Sequence, residues 1–154
     1  MKKFVIIDEL LTPEECKDCI DYYEEDGFDT THNLNFVKRI NHHKRTQRYV
    51  DKILKQCYKH FDEKCKFGWG EIVHWTEGSF QLEHIDDASD KTILTSITYL
   101  NDDYEGGETF ISNEFNIKPK IGRTIFFYGS SYPHGVTNIT KGDRFTLPIW
   151  YDGI

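Results

Sequence analysis

The sequence predicts an α+β domain in which two helices pack on a double-sheet roll or barrel of about eight strands. Three observations support this prediction: apolar residues recur at helical spacing in two stretches before residue 62, short β-rich runs replace that pattern after Gly68, and Gly, Asp and Asn separate these runs. A chain of 154 residues can bury one core without disulfides or zinc. We therefore expect a single domain, 1–154, with a helical part at about 1–66 and a β core at about 67–154.

The first half of the chain is predicted to contain one strand and two helices. Apolar residues 4–7 indicate the strand. Thr12 is the expected N-cap of the first helix, because Pro13 suits a first helical turn and an acidic residue three positions after Thr12 completes a capping box. This helix should end near residue 25. Apolar residues at helical spacing predict the second helix at about 46–61.

The second half of the chain is predicted to be β throughout. The expected strands are residues 71–75, 79–84, 92–100, 109–111, 115–118, 124–128, 135–137 and 144–151.

Composition and charge argue against several partners. The net charge of −7 opposes binding to phosphate backbones and to anionic membranes. The apolar run near the start is four residues long, which is shorter than a signal peptide requires, and no stretch is long enough to cross a membrane. We therefore expect a cytoplasmic protein with no nucleic-acid or membrane partner.

The four cysteines are interpreted as structural thiols. Cys16 and Cys19 form a Cys-x-x-Cys pair, whereas Cys57 and Cys65 are more widely spaced. A zinc or redox site would need a matching second pair or a thioredoxin-like context, and the sequence shows neither. Reduced thiols buried on helices are the favoured interpretation, and a four-thiol metal site is the alternative.

Two histidines and an aspartate form a candidate metal site. His84 and Asp86 lie at the end of a predicted strand, where alternate side chains share a face with Cα atoms roughly 6.6 Å apart, so both can reach one ion. His134 opens a later β run and is the candidate third ligand. An isolated His-x-Asp also occurs by chance, but two imidazoles and one carboxylate around an ion with open positions are typical of non-haem Fe(II) oxygenases.

A basic residue in the last strand strengthens this interpretation. Strand alternation places Arg144, Thr146 and Trp150 on one face. A guanidinium that points into a barrel needs an anionic partner, because burying an unpaired charge is costly. A dicarboxylate ligand would supply that partner through bidentate hydrogen bonds.

Further motifs follow in order between residues 71 and 151. They are an aromatic-Gly-aromatic-His-x-Asp segment at 75–86, Tyr-Leu-Asn at 99–101, Gly-Gly-Glu-Thr-Phe at 106–110, Gly-Arg-Thr-Ile-Phe-Phe at 122–127, His134, Gly-Asp-Arg at 142–144 and Trp150. In this order the motifs resemble the catalytic core of the prolyl 4-hydroxylase branch of the Fe(II)/2-oxoglutarate-dependent dioxygenases. The resemblance implies a double-stranded β-helix, or distorted jelly roll, with the N-terminal helices packed on one sheet. It also implies that His84, Asp86 and His134 bind the iron.

The resemblance also implies how the cosubstrate binds. Arg144 would pair with the far carboxylate of 2-oxoglutarate, assisted by the hydroxyl of Tyr99 and by Thr146. Many relatives have Tyr where this chain has Trp75, and Lys is common in place of Arg144. Trp75 and Trp150 are candidates for the substrate pocket, with ordinary core packing as the alternative.

The implied activity is hydroxylation of a substrate C–H bond with Fe(II), 2-oxoglutarate and O2, releasing succinate and CO2; ascorbate is a candidate reductant. A peptidyl proline is the favoured substrate, so we expect a protein or peptide partner. A hydroxylase of a free amino acid or other small metabolite is one alternative. A noncatalytic jelly-roll binding module is another, although the intact ligand set argues against it.

The remaining histidines and the charged segments are interpreted separately. His42 and His43 are adjacent in a loop and cannot easily share a metal, whereas His32, His60 and His74 are expected to be surface or structural residues. The segment 38–55 is rich in Lys and Arg, whereas the segment 8–29 is rich in Asp and Glu. This contrast suggests either an acidic partner or pairing with the acidic N-terminal helix of the same chain. A solvated charged face is the favoured interpretation. The resemblance also implies a flexible loop before the barrel that covers the substrate, and residues 33–48 are the candidate for this lid.

Overall fold

The computed structural model describes residues 2–41, 43–62 and 64–154. These residues form two helices and thirteen strands. In chain order the elements are β1 Phe4–Ile7, α1 Pro13–Asp26, β2 Thr30–His32, β3 Asn35–Arg39, α2 Gln47–His60, β4 Cys65–Trp75, β5 Gln81–His84, β6 Thr92–Tyr99, β7 Glu105–Gly106, β8 Thr109–Ile111, β9 Phe115–Ile117, β10 Thr124–Phe127, β11 His134–Val136, β12 Ile139–Lys141 and β13 Arg144–Gly153. No helix in the described part of the chain has the length and apolar character needed to span a membrane.

Two antiparallel sheets form the walls of the barrel. The larger sheet has seven strands in the order β1-β10-β6-β13-β4-β3-β2, and the smaller has four in the order β5-β11-β8-β9. A two-stranded ribbon, β12-β7, lies apart from both. This arrangement confirms the predicted α+β class and the double-stranded β-helix.

Strand β13 shows how the larger sheet separates the core from the site. Phe145, Leu147, Ile149 and Tyr151 are buried against the two helices in the main hydrophobic cluster. The alternate residues Arg144, Thr146, Pro148 and Trp150 line a cavity on the opposite side. The period-two pattern of a strand buried on both faces therefore places the helices behind the sheet and the site in front of it.

Helix α1 begins at the predicted capping box. The backbone N–H of Glu15 donates to Thr12 Oγ1 at 3.1 Å, and the backbone N–H of Thr12 donates to Glu15 Oε1 at 2.9 Å. Pro13 lies in the first turn, where its missing N–H costs nothing. These local contacts set the start of the helix that packs on the larger sheet.

All four cysteines are buried, as the structural-thiol interpretation predicts, but Cys65 begins strand β4 rather than lying on a helix. Burial raises the pKa of Cys16 to about 12, so this thiol stays protonated at neutral pH. The Sγ atoms of Cys57 and Cys65 lie 3.9 Å apart. The described residues thus use these side chains as core packing rather than as a four-thiol metal site.

The basic segment pairs with the acidic helix of the same chain, so the solvated-face interpretation was wrong. Arg45 Nη2 lies 2.9 Å from Asp18 Oδ1, and Lys52 Nζ lies 2.6 Å from Glu15 Oε1. The ammonium group of Lys38 contacts the carboxylate of Asp26. Sequence composition showed the opposite charges of the two segments, but only the packing of α1 beside β3 and α2 brings them together.

Asp18 at the centre of this network should make stability depend on pH. Its hydrogen bond from the Tyr49 hydroxyl, and next its bonds from Arg45, hold the pKa of Asp18 below its usual range. A carboxyl with a lowered folded-state pKa stabilises the fold above its unfolded pKa of about 4, and this contribution is lost as the pH falls through the folded-state value. We expect Asp18→Asn to lower the free energy of unfolding by about 1 kcal/mol at pH 7 and by less at pH 3.

Urea unfolding of both proteins at the two pH values measures this difference. Glu24→Gln, at an exposed position of the same helix, should change stability by less than about 0.5 kcal/mol. An equal loss for Asp18→Asn at pH 7 and pH 3 would show that ionisation of Asp18 is not responsible.

The structure corrects the predicted lid and several strand bounds. Part of the expected flexible segment 33–48 is β3, which pairs with β4 inside the larger sheet. Strand β4 begins six residues before the predicted 71–75, and β2, β3, β7 and β12 were not predicted. The side chains of β3 do not alternate in the way that predicts a strand. This strand is stabilised instead by backbone pairing with β4, which its own sequence does not reveal.

Candidate metal centre and cosubstrate pocket

A cavity of about 470 Å³ lies between the two sheets. Strands β3, β4, β6 and β13 of the larger sheet line one side, and β5 and β11 of the smaller sheet line the other. The cavity contains His84, Asp86, His134 and Arg144. The three predicted metal ligands and Arg144 therefore share one cavity.

The two histidines are neighbours across a pair of strands. His84 ends β5, His134 begins β11, and the two residues face each other in the antiparallel register. The Nδ1 of His84 lies 2.9 Å from the carbonyl of Leu82, and the Nδ1 of His134 lies 2.7 Å from the carbonyl of Tyr132. Because a carbonyl can only accept, each Nδ1 carries a proton, so Nε2 is the nitrogen of each ring that can bind a metal once any proton it shares with Asp86 is released.

Asp86 completes a compact set of ligand atoms. Its Oδ1 lies 3.5 Å from the Nε2 of His84 and 3.3 Å from the Nε2 of His134. Its other oxygen, Oδ2, accepts a hydrogen bond from Thr95 Oγ1 at 2.6 Å. All three ligand atoms lie within 4.8 Å of one another, so they can bind a single ion. Sequence reasoning did not identify Thr95, because a threonine in a strand carries no distinctive signal.

The electrostatics of the three residues favour a cation. Burial alone would raise the pKa of Asp86, but hydrogen bonds from His134 and His84 more than offset it, and the pKa lies well below its usual range. The hydrogen bond to Asp86 raises the pKa of His84. A carboxylate that is half-buried and still ionised beside two imidazole nitrogens is the donor set that suits a divalent transition metal.

Gly129 leaves room for the Asp86 carboxylate. The Gly129 carbonyl accepts the backbone N–H of Asp86 at 2.8 Å, and a Cβ at Gly129 would overlap Asp86 Oδ2 and Thr95 Oγ1. We expect Gly129→Ala to weaken Mn(II) binding at least about tenfold, since displacing the groups that orient a ligand typically costs that much. Isothermal titration calorimetry measures the affinity.

Gly153→Ala is a matched control for this substitution. A Cβ at Gly153 would meet its nearest neighbour at 3.9 Å, which is ordinary contact, so Mn(II) affinity should not change. Wild-type affinity in a folded Gly129→Ala protein would show that Asp86 does not need the space beside this glycine.

Arg144 lies at the opposite end of the cavity and is only 1% exposed. Its Nε donates to the Gly107 carbonyl and one Nη donates to Thr109 Oγ1, both at 2.9 Å. The guanidinium carbon lies 4.7 Å from the centre of the Trp75 ring. Among the described residues no carboxylate lies within 4 Å of this guanidinium. A buried cation without an anion is costly, and a carboxylate that enters the cavity would remove that cost.

The comparison with protein families decides the class. A family model described as the 2OG-Fe(II) oxygenase superfamily matches residues 70–152, a segment that holds His84, Asp86, His134 and Arg144. The chain belongs to the 2OG-Fe(II) oxygenase superfamily. The residues present fit both groups in this family's name: two imidazoles and a carboxylate for Fe(II), and an anion-free buried guanidinium for 2-oxoglutarate.

Individual relatives are similar to parts or all of the chain. Prolyl 3-hydroxylase 2 of Homo sapiens is 45% identical over 65 residues, which is 37% of this chain and 9% of that protein. This chain therefore matches only a small part of the curated relatives. The viral collagen prolyl hydroxylase of Paramecium Bursaria Chlorella virus-1, solved as a 2OG complex, has a TM-score of 0.83 at 21% identity and covers 99% of this chain and 97% of that chain. A prolyl hydroxylase from Trichoplax adhaerens, solved with a hypoxia inducible factor peptide fragment, has a TM-score of 0.79 at 16% identity. The match covers 99% of this chain and 84% of that chain.

The other predicted cosubstrate residues surround Arg144 in this oxygenase. Thr146 lines the cavity, and its hydroxyl accepts the indole N–H of Trp75 at 3.3 Å. The hydroxyl of Tyr99 donates to the Ile117 carbonyl at 2.6 Å and accepts the backbone N–H of Thr109 at 2.9 Å. The Tyr99 ring rather than its hydroxyl faces Arg144, so a direct bond from Tyr99 to the cosubstrate stays a prediction.

The two tryptophans predicted for the substrate pocket lie at different ends of the cavity. Trp75 is the register partner of Arg144 and belongs to the cosubstrate end. Trp150 stacks on Trp69 with ring centres 4.9 Å apart, and both rings line the cavity. Sequence reasoning missed Trp69 because the strand was expected to begin at residue 71.

Among the described residues, no other histidine belongs to the cluster of candidate metal ligands. His74 is a structural histidine, since its ring nitrogens contact the Tyr23 hydroxyl at 2.9 Å and Asp143 at 3.1 Å. His43 stacks on Tyr22. His32 is exposed and lines the cavity. The prediction for His42 falls outside the described residues.

Proposed function

We propose that this chain is an Fe(II)- and 2-oxoglutarate-dependent hydroxylase that acts on a prolyl residue of a peptide. One observation carries the proposal: a two-histidine, one-aspartate cluster and an anion-free buried arginine lie at the two ends of a single cavity. A metal-binding protein without this activity would have no need for a buried guanidinium there. The match to the superfamily model over the same residues supports the same chemistry.

Each side chain has a role that its surroundings support. His84, Asp86 and His134 would hold the iron, with their tautomers and orientation set by the carbonyls and the hydroxyl already described. Arg144 would bind the far carboxylate of 2-oxoglutarate, which orients the rest of that molecule toward the metal. Iron and cosubstrate together, when bound, supply the oxidation of an unactivated C–H bond by O2. The two sheets enclose the reacting groups and limit access of water.

A peptidyl substrate is favoured by the shape of the site and by the relatives. The cavity continues into a second groove on the protein surface, and a single amino acid would not fill both. The relatives reported above are named as prolyl hydroxylases, and one of them was solved with a peptide.

The test is an assay with Fe(II), 2-oxoglutarate and two sets of substrates, proline-containing peptides and free amino acids. We expect succinate and a peptide product heavier by one oxygen atom, and fragmentation of the product shows which proline carbon is hydroxylated. Product from free amino acids alone would reject the peptide substrate. Absence of succinate under all conditions, from a protein that binds metal, would support the noncatalytic binding module instead.

A further inference from the structure

The metal end of the cavity contains an acidic residue with no assigned role. Strand β4 directs Trp69, Glu71, Val73 and Trp75 to the cavity, as alternation in a strand requires. Trp75 pairs with Arg144 at the cosubstrate end, and Glu71 lies four residues further along, at a distance of about 13 Å.

The metal ligands lie toward the same end as Glu71. Thr95, which holds Asp86, is the register partner of Trp150, and Trp150 stacks on Trp69. Glu71 and the tryptophan pair therefore line the part of the cavity where a substrate, rather than the cosubstrate, would approach the metal.

Glu71 is a carboxyl without a close cation. Burial raises its pKa, and its nearest opposing charge is Arg39, the cross-strand neighbour on β3, whose side chain is exposed. Within the described residues no ion pair involves Glu71 at 4 Å or less. A half-buried carboxyl in this state is stabilised by any cation that enters the cavity beside it.

The charges along the cavity have one sign outside the cosubstrate end. Among the described residues that line the cavity, Glu71 and Asp87 are acidic in addition to the candidate ligand Asp86, and Arg144 is the one Lys or Arg. The neighbouring groove adds Glu83, and none of its lining residues that the structure describes is Lys or Arg. A substrate that follows this path therefore meets acidic groups until it reaches the metal.

The groove next to the cavity has the features of a binding site for an extended chain. Its volume is about 500 Å³, and it shares His32, Asn35, Gln81 and His84 with the metal cavity. It runs between β2 and β5, which are the outermost strands of the two sheets and so present unpaired backbone groups. Exposed Leu34, Phe80 and Leu82 lie along it.

Asn35 marks the junction of groove and cavity. It is 7% exposed, and its Oδ1 has no hydrogen-bond partner. A buried amide oxygen without a donor is costly unless a ligand supplies one. A backbone N–H of a peptide passing from the groove into the cavity would satisfy it.

We propose that the substrate is an extended cationic peptide, with a Lys or Arg side chain that pairs with Glu71 and a backbone N–H that donates to Asn35. This inference rests on the proposed hydroxylase function and narrows its substrate class. Free amino acids lack the extended backbone needed for the groove, and acidic peptides would be repelled by Glu71, Glu83 and Asp87.

The experiment measures binding without turnover. Two fluorescently labelled peptides of equal length, with a central Pro flanked by Lys in one and by Gln in the other, are titrated with protein loaded with Mn(II) and 2-oxoglutarate under nitrogen. We expect the Lys peptide to bind the wild-type protein at least about tenfold more tightly, since a charge-assisted hydrogen bond is worth that much. Glu71→Gln should reduce this preference to about one, whereas Glu105→Gln, an exposed position outside both cavities, should retain it.

A second variant separates the two contacts. Asn35→Ala should lower the affinity for both peptides to a similar extent, by about fivefold, and leave the preference for the Lys peptide unchanged. A salt titration should shrink the preference for the Lys peptide and have little effect on the Gln peptide.

The outcomes distinguish this inference from the proposed function. Equal binding of both peptides to the wild-type protein, together with hydroxylation of either, would overturn the cationic preference and leave the hydroxylase standing. Retention of the Lys preference in a folded Glu71→Gln protein would move the cation site away from Glu71 and also overturn the inference. Failure to bind either peptide, with product formed from free amino acids, would reject the peptide hydroxylase itself.

Discussion

Asp86→Ala is expected to weaken Mn(II) or Fe(II) binding by more than about 100-fold and to abolish succinate formation. The substitution removes the one anionic ligand and leaves two neutral imidazoles, which hold a divalent cation far less tightly. Loss of a group that only orients a ligand typically costs 10- to 100-fold, and loss of the ligand itself should cost more. Calorimetric titration with Mn(II) gives the affinity, and succinate analysis gives the turnover.

Two other substitutions define the scale of this effect. Thr95→Val removes only the hydrogen bond to Asp86 Oδ2, so we expect a loss of about tenfold in metal affinity. Asp90→Ala, at an exposed position four residues after Asp86 and outside the cavity lining, should bind Mn(II) as the wild-type protein does. Retention of wild-type affinity by Asp86→Ala would mean that the cluster of His84, Asp86 and His134 is not the metal site.

Arg144→Met is expected to weaken 2-oxoglutarate binding by at least about 100-fold without changing metal affinity. The methionine fills much of the same volume, but it cannot donate to a carboxylate, and each charge-assisted hydrogen bond contributes about 1.5–3 kcal/mol. Arg144→Lys keeps the charge and loses the planar pair of donors. Its affinity for 2-oxoglutarate should therefore lie between those of the wild-type protein and Arg144→Met. Calorimetry of the Mn(II)-loaded proteins with 2-oxoglutarate measures all three affinities.

Thermal unfolding provides an independent check on Arg144. A ligand that binds only the folded state raises the midpoint of unfolding, so 2-oxoglutarate should raise it for the wild-type protein and not for Arg144→Met. Arg123→Met, which removes an exposed pair with Asp8 on the surface, serves as the control and should respond to 2-oxoglutarate as the wild-type does. A normal response from Arg144→Met would place the cosubstrate elsewhere in the cavity.

The separation of these two effects follows from the architecture. The metal ligands belong to β5, β11 and the segment after β5, whereas Arg144 begins β13 in the opposite sheet. The two histidines thus come from the smaller sheet and Arg144 comes from the larger one. A substitution at Arg144 is therefore expected to leave metal binding intact.

Features encoded by short-range patterns could be predicted from the sequence. The capping box at Thr12 sets the start of α1 through contacts three residues apart. Alternation along β13 separates Arg144 and Thr146 on the cavity face from Phe145 and Leu147 in the core. These features depend on the period of a helix or strand, which neighbouring residues determine.

Features that depend on long-range pairing could not be predicted in this way. Strand β3 is stabilised by β4, which follows it after a whole helix, so its polar sequence suggested a flexible loop. The hydroxyl of Tyr99 is directed by the backbone of Ile117 and Thr109 rather than by its motif. The pairing of Arg45 with Asp18 depends on how two separate segments pack.

The sequence by itself determined the class of the domain, the order of its two helices and most strands, and the candidate residues for binding iron and 2-oxoglutarate. Only the tertiary structure decided that His84 faces His134, that Thr95 and Gly129 contact Asp86, and that Glu71 and Asn35 line the same cavity as these three residues. The physical reason is the range of the interactions: residue type and strand period act over a few positions, whereas register and burial arise when distant strands pair and enclose a cavity.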